Sequence, residues 1–211
     1  MSEAGKRTID LATWARKAHF EFFSGFDEPF FGVCVRVDCT KAYAAAKRRG
    51  CSFFLYYLYQ SLRAAHVVEP FRYRIEDGGV VIYDRLGAGP AIDRPDGTFG
   101  YAYFTYSDDI DEFLRGAQSA VDQVRSSPDL KPSKATNTVL YSALPWLDFT
   151  SLSHARKFGL QDSRPRVTFG KMTTVEGRRS MPVAIHVNHA LVDGRDVGEY
   201  VERFQGLMDS E

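Results

Sequence analysis

The sequence predicts an α+β fold, a mixed β-sheet with helices packed on one face, and three observations carry that prediction. Residues 181–187 alternate in strand fashion and lead through a tight turn into a helical pattern made by Val197, Tyr200, Val201, Phe204 and Leu207. Residues 30–38 alternate as well, with Phe31, Val33, Val35 and Val37 set against Gly32, Cys34, Arg36 and Asp38. The run from Ser52 to about Ala65 has helical length, and with Phe53, Phe54, Tyr56, Tyr57 and Tyr59 it reads as buried on most sides.

The remaining elements follow in order. Residues 8–20 read as a short helix with Thr8 or Asp10 near its start, and a second helix is expected over 40–49 after the strand at 30–38. Residues 71–75 and 79–83 form a hairpin around Asp77-Gly78, a two-residue turn signal. A strand is expected near 98–105. Asp108 to Ser126 then forms an amphipathic helix whose acids gather at its N-terminal end, where the helix dipole favours them. Strands at 137–143, 165–174 and 181–187 precede the last helix. No linker, repeat or low-complexity block interrupts residues 1–211, so one domain is expected, and the length suits one substantial core.

Composition sets limits on function. The 27 basic and 27 acidic side chains cancel, which leaves no electrostatic footprint for nucleic acid. Cys34, Cys39 and Cys51 make an odd count without CxxC spacing, as reduced thiols do, rather than a disulfide frame or zinc site. The opening Met-Ser-Glu-Ala-Gly-Lys-Arg lacks an apolar signal region, and no run reaches the roughly 18 apolar residues of a membrane span. A cytoplasmic protein without a membrane partner is the expectation.

Chemistry concentrates in His186-Val187-Asn188-His189-Ala190-Leu191-Val192-Asp193-Gly194. His189 stands where a strand gives way to a turn, a place from which a rigid scaffold presents a side chain to a cleft. An imidazole, with an ordinary pKa of about 6.5, suits general-base work near neutral pH. A lone histidine is also compatible with a purely structural role.

The spacing H-x-x-x-D-G is one of several ordered motifs. Trp14-Ala15-Arg16-Lys17-Ala18-His19-Phe20-Glu21-Phe22-Phe23 opens the series, followed by Glu69-Pro70-Phe71-Arg72, Val81-Ile82-Tyr83-Asp84 and Thr98-Phe99. Tyr106 to Phe113, Ser142-Ala143-Leu144-Pro145-Trp146 and Thr168-Phe169-Gly170-Lys171 come next. From about residue 8 to about residue 206 the chain resembles the CoA-dependent acyltransferases of the chloramphenicol acetyltransferase family. The H-x-x-x-D-G motif is shared with peptide-synthetase condensation domains and dihydrolipoamide acyltransferase cores.

The resemblance implies a chloramphenicol acetyltransferase-like fold and a set of roles. His189 would be the general base, Ser142 would hydrogen-bond the oxyanion of the tetrahedral intermediate, and Thr168 would hold an ordered water at the same place. Asp193 would form a buried bidentate ion pair with Arg16, supporting the histidine loop rather than completing a triad. Lys171 would lie near the CoA tunnel. No cofactor would be permanently bound, and acetyl-CoA or another acyl thioester would serve as co-substrate. The acceptor pocket would comprise Phe22, Phe23, Asp27, Phe99, Leu152, His154, Arg156 and Arg166. Family members form homotrimers with the site at each subunit interface, and the same is implied here.

Departures from the family bear on the acceptor. Asn188 replaces the first of two tandem histidines. Leu152, His154, Arg156 and Arg166 fall at generally apolar pocket positions, Asp27 and Pro29 replace further apolar residues, and Leu130-Lys131-Pro132 lacks the family's aromatic. The arginines either pair with acids such as Asp27, meet an anionic or strongly polar acceptor, or face solvent, because an uncompensated buried charge is costly. A lysine expected before Phe53 is Ser52, so phosphate contacts would come from elsewhere, such as Lys47, Arg48 and Arg49; a carrier-protein thioester fits as a donor nearly as well as CoA. Three functions are in play: acyl transfer to a small polar hydroxyl or amine, genuine chloramphenicol O-acetylation conferring resistance, and a non-catalytic ligand-binding trimer.

Overall fold

The computed structural model describes residues 5–157 and 162–210. In chain order the elements are β1 (Lys6–Thr8), α1 (Lys17–Ser24), β2 (Phe30–Asp38), α2 (Thr40–Arg48), α3 (Phe53–Val67), β3 (Tyr73–Glu76), β4 (Gly79–Tyr83) and β5 (Gly87–Asp93). They continue with β6 (Phe99–Tyr101), α4 (Ile110–Arg125), β7 (Thr138–Ala143), β8 (Arg166–Phe169), β9 (Thr173–Val175), β10 (Arg178–Asn188) and α5 (Gly194–Asp209). The main sheet runs β2-β10-β8-β7-β5-β6, with β9 paired to β10, and a separate sheet runs β1-β4-β3. β7 is parallel to both β5 and β8 while the other pairs are antiparallel, so the main sheet is mixed as expected.

The period-two patterning sorts the main sheet into two faces. Val139, Tyr141, Val167, Phe169, Val183, Ile185 and Val187 are buried on the face covered by α3 and α5. On that face the Tyr141 and Tyr200 hydroxyls both meet Ser61, at 3.0 and 2.5 Å, so the phenols are satisfied inside an apolar core. The opposite face carries Ser142, Thr168, Ala184 and Cys34 in one cross-strand row, with Arg166, His186 and Gly32 in the next.

The structure departs from the sequence reading in three places. Residues 8–20 are not one helix: Thr8 ends β1, which pairs with β4, and α1 begins only at Lys17. Asp10 organises a turn instead, accepting from Ala12 N–H and the Thr13 hydroxyl, both at 3.0 Å. β5 escaped prediction because Gly87-Ala88-Gly89-Pro90 lacks strand propensity. Its glycines are nevertheless required, since a Cβ on Gly87 would sit 2.6 Å from the Tyr103 ring. The expected strand 165–174 is broken after Phe169, where Gly170 N–H donates to the Pro182 carbonyl and Lys171 N–H to the Leu147 carbonyl, both at 2.8 Å.

Arg74 anchors the small sheet to the chain entering β7. It is 1% exposed, and its guanidinium donates to the carbonyls of Thr136, Phe71, Tyr73 and Thr138 at 2.6–2.9 Å. A buried cation needs such a full set of acceptors. Among the described residues no helix is long and apolar enough to cross a membrane.

Candidate active site

His189 follows β10 directly, and its N–H donates to the Pro29 carbonyl at 2.8 Å, tying the turn to the segment that enters β2. Asn188, which stands where the family has a further histidine, builds the turn itself. Its Oδ1 accepts from Ala190 N–H at 2.9 Å and its carbonyl accepts from Leu191 and Val192 at 3.0 Å. The His189 ring is thereby free of turn-making duties. It stacks on Phe23 with centroids 4.0 Å apart and planes 10° from parallel, and Phe31 packs 4.6 Å away. Nδ1 is buried and the side chain is 34% exposed, which leaves the Nε2 edge as the open one. A base needs that combination of fixed plane and accessible nitrogen.

Arg16 and Asp193 meet as the resemblance implied. Arg16 Nη2 donates to Asp193 Oδ1 at 2.7 Å, and Nη1 donates to Oδ2. The same guanidinium also reaches the His189 carbonyl at 2.6 Å and the Ala190 carbonyl at 3.2 Å. The pair is less buried than expected: Arg16 is 14% exposed but Asp193 is 39% exposed, because the acid lies at the outer rim of the turn. Hydrogen bonding to Arg16 holds the Asp193 carboxyl below the ordinary carboxylate range. Oδ1 comes within 3.3 Å of His189 Nδ1, but no aligned hydrogen bond joins them. Asp193 also starts α5, its N–H donating to Asp196 Oδ2 at 2.7 Å.

Ser142 and Thr168 are register partners on β7 and β8, and Thr168 pairs onward with Ala184 of β10. His189 lies five residues beyond Ala184, about 17 Å along the strand direction at the usual rise. One chain therefore brings His189 together with Phe23, Arg16 and Asp193, and separately brings Ser142 together with Thr168. Lys171 stands in the turn after β8 with its side chain exposed.

Residues 151–157 lie over the open face, with Leu152, His154 and Arg156 turned inward in alternation. His154 Nε2 is 3.3 Å from Thr168 Oγ1, and His186 Nε2 donates to the Leu152 carbonyl at 3.1 Å. Burial, a neighbouring His186 and the Arg166 and Arg156 guanidinium groups push His154 down to about 4, so the ring is neutral.

Both pocket arginines have acidic partners, though not the one expected. Arg156 Nε lies 3.2 Å from Glu28 Oε2 rather than pairing with Asp27, and its guanidinium sits 3.3 Å over the Phe30 ring. Arg166 donates to Asp162 Oδ2 at 3.0 Å and to the Ala155 carbonyl at 3.2 Å. Their side chains are 14% and 16% exposed, which settles the solvent-facing alternative against it. Asp27 lines a cavity of about 990 Å³ with Phe26, Glu28, Arg156, Asp162 and Asn188. Phe22 is exposed beside Phe23 and Phe26, with centroids 5.1 Å from each. Phe99 is exposed on β6, at the far edge of the sheet from β2.

Sequence reasoning missed Glu28, Asp162 and His186. Alternation along β10 carried the signal for His186, which shares the face of Ala184 and Thr168. Glu28 is adjacent to Asp27, and nothing local distinguishes which acid turns toward Arg156.

Known proteins place these observations. The model of the chloramphenicol acetyltransferase family matches residues 5–205. A chloramphenicol acetyltransferase of Proteus mirabilis is 30% identical over 207 residues, covering 97% of this chain and 95% of that protein. Chloramphenicol acetyltransferase 3 of Escherichia coli is 26% identical over 206 residues, covering 96% and 97%. A solved chloramphenicol acetyltransferase structure superposes with a TM-score of 0.91 at 33% identity, covering 97% of this chain and 100% of that one. A probable dihydrolipoamide acetyltransferase from Listeria monocytogenes shares the fold alone, with a TM-score of 0.65 at 12% identity over 99% of this chain and 96% of that one. The chain is an acyltransferase and belongs to the chloramphenicol acetyltransferase family.

Proposed function

We propose that the protein moves an acyl group from acetyl-CoA, or a related acyl thioester, to a hydroxyl or amine of a small acceptor more polar than chloramphenicol, at sites between the subunits of a homotrimer. His189 Nε2 removes the acceptor proton as oxygen or nitrogen attacks the thioester carbonyl. Ser142, with Thr168 and its water, stabilises the negative charge that develops on the carbonyl oxygen. Collapse of the intermediate expels the thiolate, which the imidazolium protonates, so no permanently bound cofactor is needed. Lys171 contributes to the donor side. Asp193 and Arg16 support the base through the backbone of its turn.

The observation that carries this reading is the separation within one chain. His189 and the Ser142–Thr168 row lie about 17 Å apart along the sheet, so a second copy has to bring its base to the row. Phe22 and Phe26 stand exposed around the half-buried Phe23 beside His189, as an acceptor wall or subunit contact would. The ion pairs satisfy the two arginines within the chain, and acceptor polarity is supported instead by the cavity lining, where Asp27, Glu28, Arg156 and Asp162 stand together.

Genuine chloramphenicol O-acetylation is the second reading, favoured by the name and similarity of the Proteus mirabilis relative. The joint presence of Arg16, Ser142, Thr168, His189 and Asp193 in this geometry disfavours a non-catalytic binding trimer. Thiol release from acetyl-CoA by the purified protein, with and without chloramphenicol and with His189→Ala as control, tests the proposal. His189-dependent release with polar acceptors and little with chloramphenicol is the expected result. Fast release that requires chloramphenicol establishes the second reading, and no His189-dependent release with any acceptor sinks both.

A further inference from the structure

Thr168 is 1% exposed, and a buried hydroxyl has one proton to place and a free rotor with which to place it. Among the described residues its side chain meets one other polar group, the Nε2 of His154, 3.3 Å from Oγ1. His154 reaches that position from the inward-turned residues of 151–157, at a position where the family is generally apolar. The ring is braced edge-on against His186, with centroids 4.8 Å apart, and His186 is itself fixed by donating from Nε2 to the Leu152 carbonyl. The two imidazoles and the backbone of Leu152 thus form one connected support behind the Thr168 hydroxyl.

We propose that His154 is a positioning residue for acyl transfer, whose Nε2 fixes the rotor of the Thr168 hydroxyl and so sets the direction in which that hydroxyl meets the oxyanion or its water. This rests on the reading that Thr168 and Ser142 form the oxyanion site. A neutral ring serves this role in either tautomer. If Nε2 carries the proton, it donates to Oγ1 and frees the threonine proton for the reaction centre. If Nε2 is the acceptor, it takes that proton and leaves the oxygen to accept from the water. Within one chain His154 contacts Thr168 and His186, and its effect on rate passes through Thr168. An apolar side chain at residue 154 would fill the same space and leave the rotor undirected.

A double-mutant cycle tests this in the full-length protein, read by thiol release from acetyl-CoA with chloramphenicol as acceptor, or to water where chloramphenicol is not accepted. His154→Leu is expected to lower kcat about tenfold, the worth of one directed hydrogen bond, with KM for acetyl-CoA unchanged. His154→Gln, whose side-chain amide can again pair with the hydroxyl, is expected to recover most of that loss. In a Thr168→Ala background, His154→Leu is expected to have no further effect. Effects that multiply independently, or a glutamine variant no better than leucine, overturn the proposal. If Thr168→Ala and Ser142→Ala both leave kcat intact, the oxyanion reading itself has failed and the proposal falls with it. A second readout does not depend on turnover: the imidazole ¹⁵N resonance of His154 Nε2 should shift in Thr168→Ala while that of His186 stays in place. An unmoved His154 resonance overturns the hydrogen bond.

Discussion

Arg16 grips both carboxylate oxygens of Asp193 while the same guanidinium donates to the backbone carbonyl of His189 at 2.6 Å. The arginine therefore holds the main chain of His189, the base proposed above, and the aspartate orients the arginine. Arg16→Met should lower kcat about a hundredfold, the scale of a small misplacement of a catalytic group. Because Asp193 is 39% exposed, the stability lost should be only about 1 kcal/mol. Thiol-release kinetics beside thermal unfolding separate the two, and a loss of stability without a loss of rate would remove Arg16 from the catalytic apparatus.

The same pair has a pH signature. Hydrogen bonding to Arg16 depresses the folded-state pKa of Asp193 below its ordinary 3.8. A depressed carboxyl contributes stability that is complete above the ordinary value and disappears as pH falls through the folded one. The stability difference between wild type and Arg16→Met should be constant at neutral pH and shrink below about pH 4. Chemical denaturation at stepped pH checks this, and a difference that grows on acidification contradicts the assignment.

Ser142→Ala should reduce kcat by about 10² to 10³, with little change in KM for acetyl-CoA. Equal effects on binding and turnover would indicate a ground-state contact instead.

An interfacial site makes a second kind of prediction. Inactive His189→Ala and inactive Ser142→Ala subunits, unfolded together and reassembled, should regain activity, because a mixed assembly contains interfaces that pair an intact base with an intact oxyanion row. Mixtures that stay inactive would mean that each chain works alone.

Charge compensation in the pocket can be tested by stability. Glu28→Gln leaves Arg156, which is 14% exposed, without its acid and should cost about 1–3 kcal/mol. Adding Arg156→Met should restore part of that loss, since removing both charges is cheaper than stranding one.

The apolar patterning was legible because burial of one sheet face enforces it: β2 and the helices α2, α3, α4 and α5 fall within a few residues of their expected bounds. β1 was not legible, since three residues beside Asp10 become a strand only when β4 is there to accept them. β5 was hidden by Gly87, Gly89 and Pro90, although Tyr103 and Leu140, which come later in the chain, pack where Cβ atoms on the two glycines would stand. At the site, the Arg16–Asp193 pairing was legible through the family resemblance, and the structure adds that Ser142 and Thr168 are register neighbours. Partner choice was not legible, because whether Arg156 turns to Asp27 or to Glu28 depends on how the chain enters β2.

The position of β10 bears on how the molecule is made. This strand lies between β2 and β8, and its residues 180–188 pair with the whole of β2, which comes from the opposite end of the sequence. Until the last quarter of the chain has emerged from the ribosome, β2 and β8 each present an unpaired edge, and such edges recruit other chains. Closure by so distant a pairing is slow. Synthesis of this protein thus passes through an interval in which unpaired strand edges favour self-association, and a chain cut short before β10 is expected to aggregate rather than to retain part of the activity.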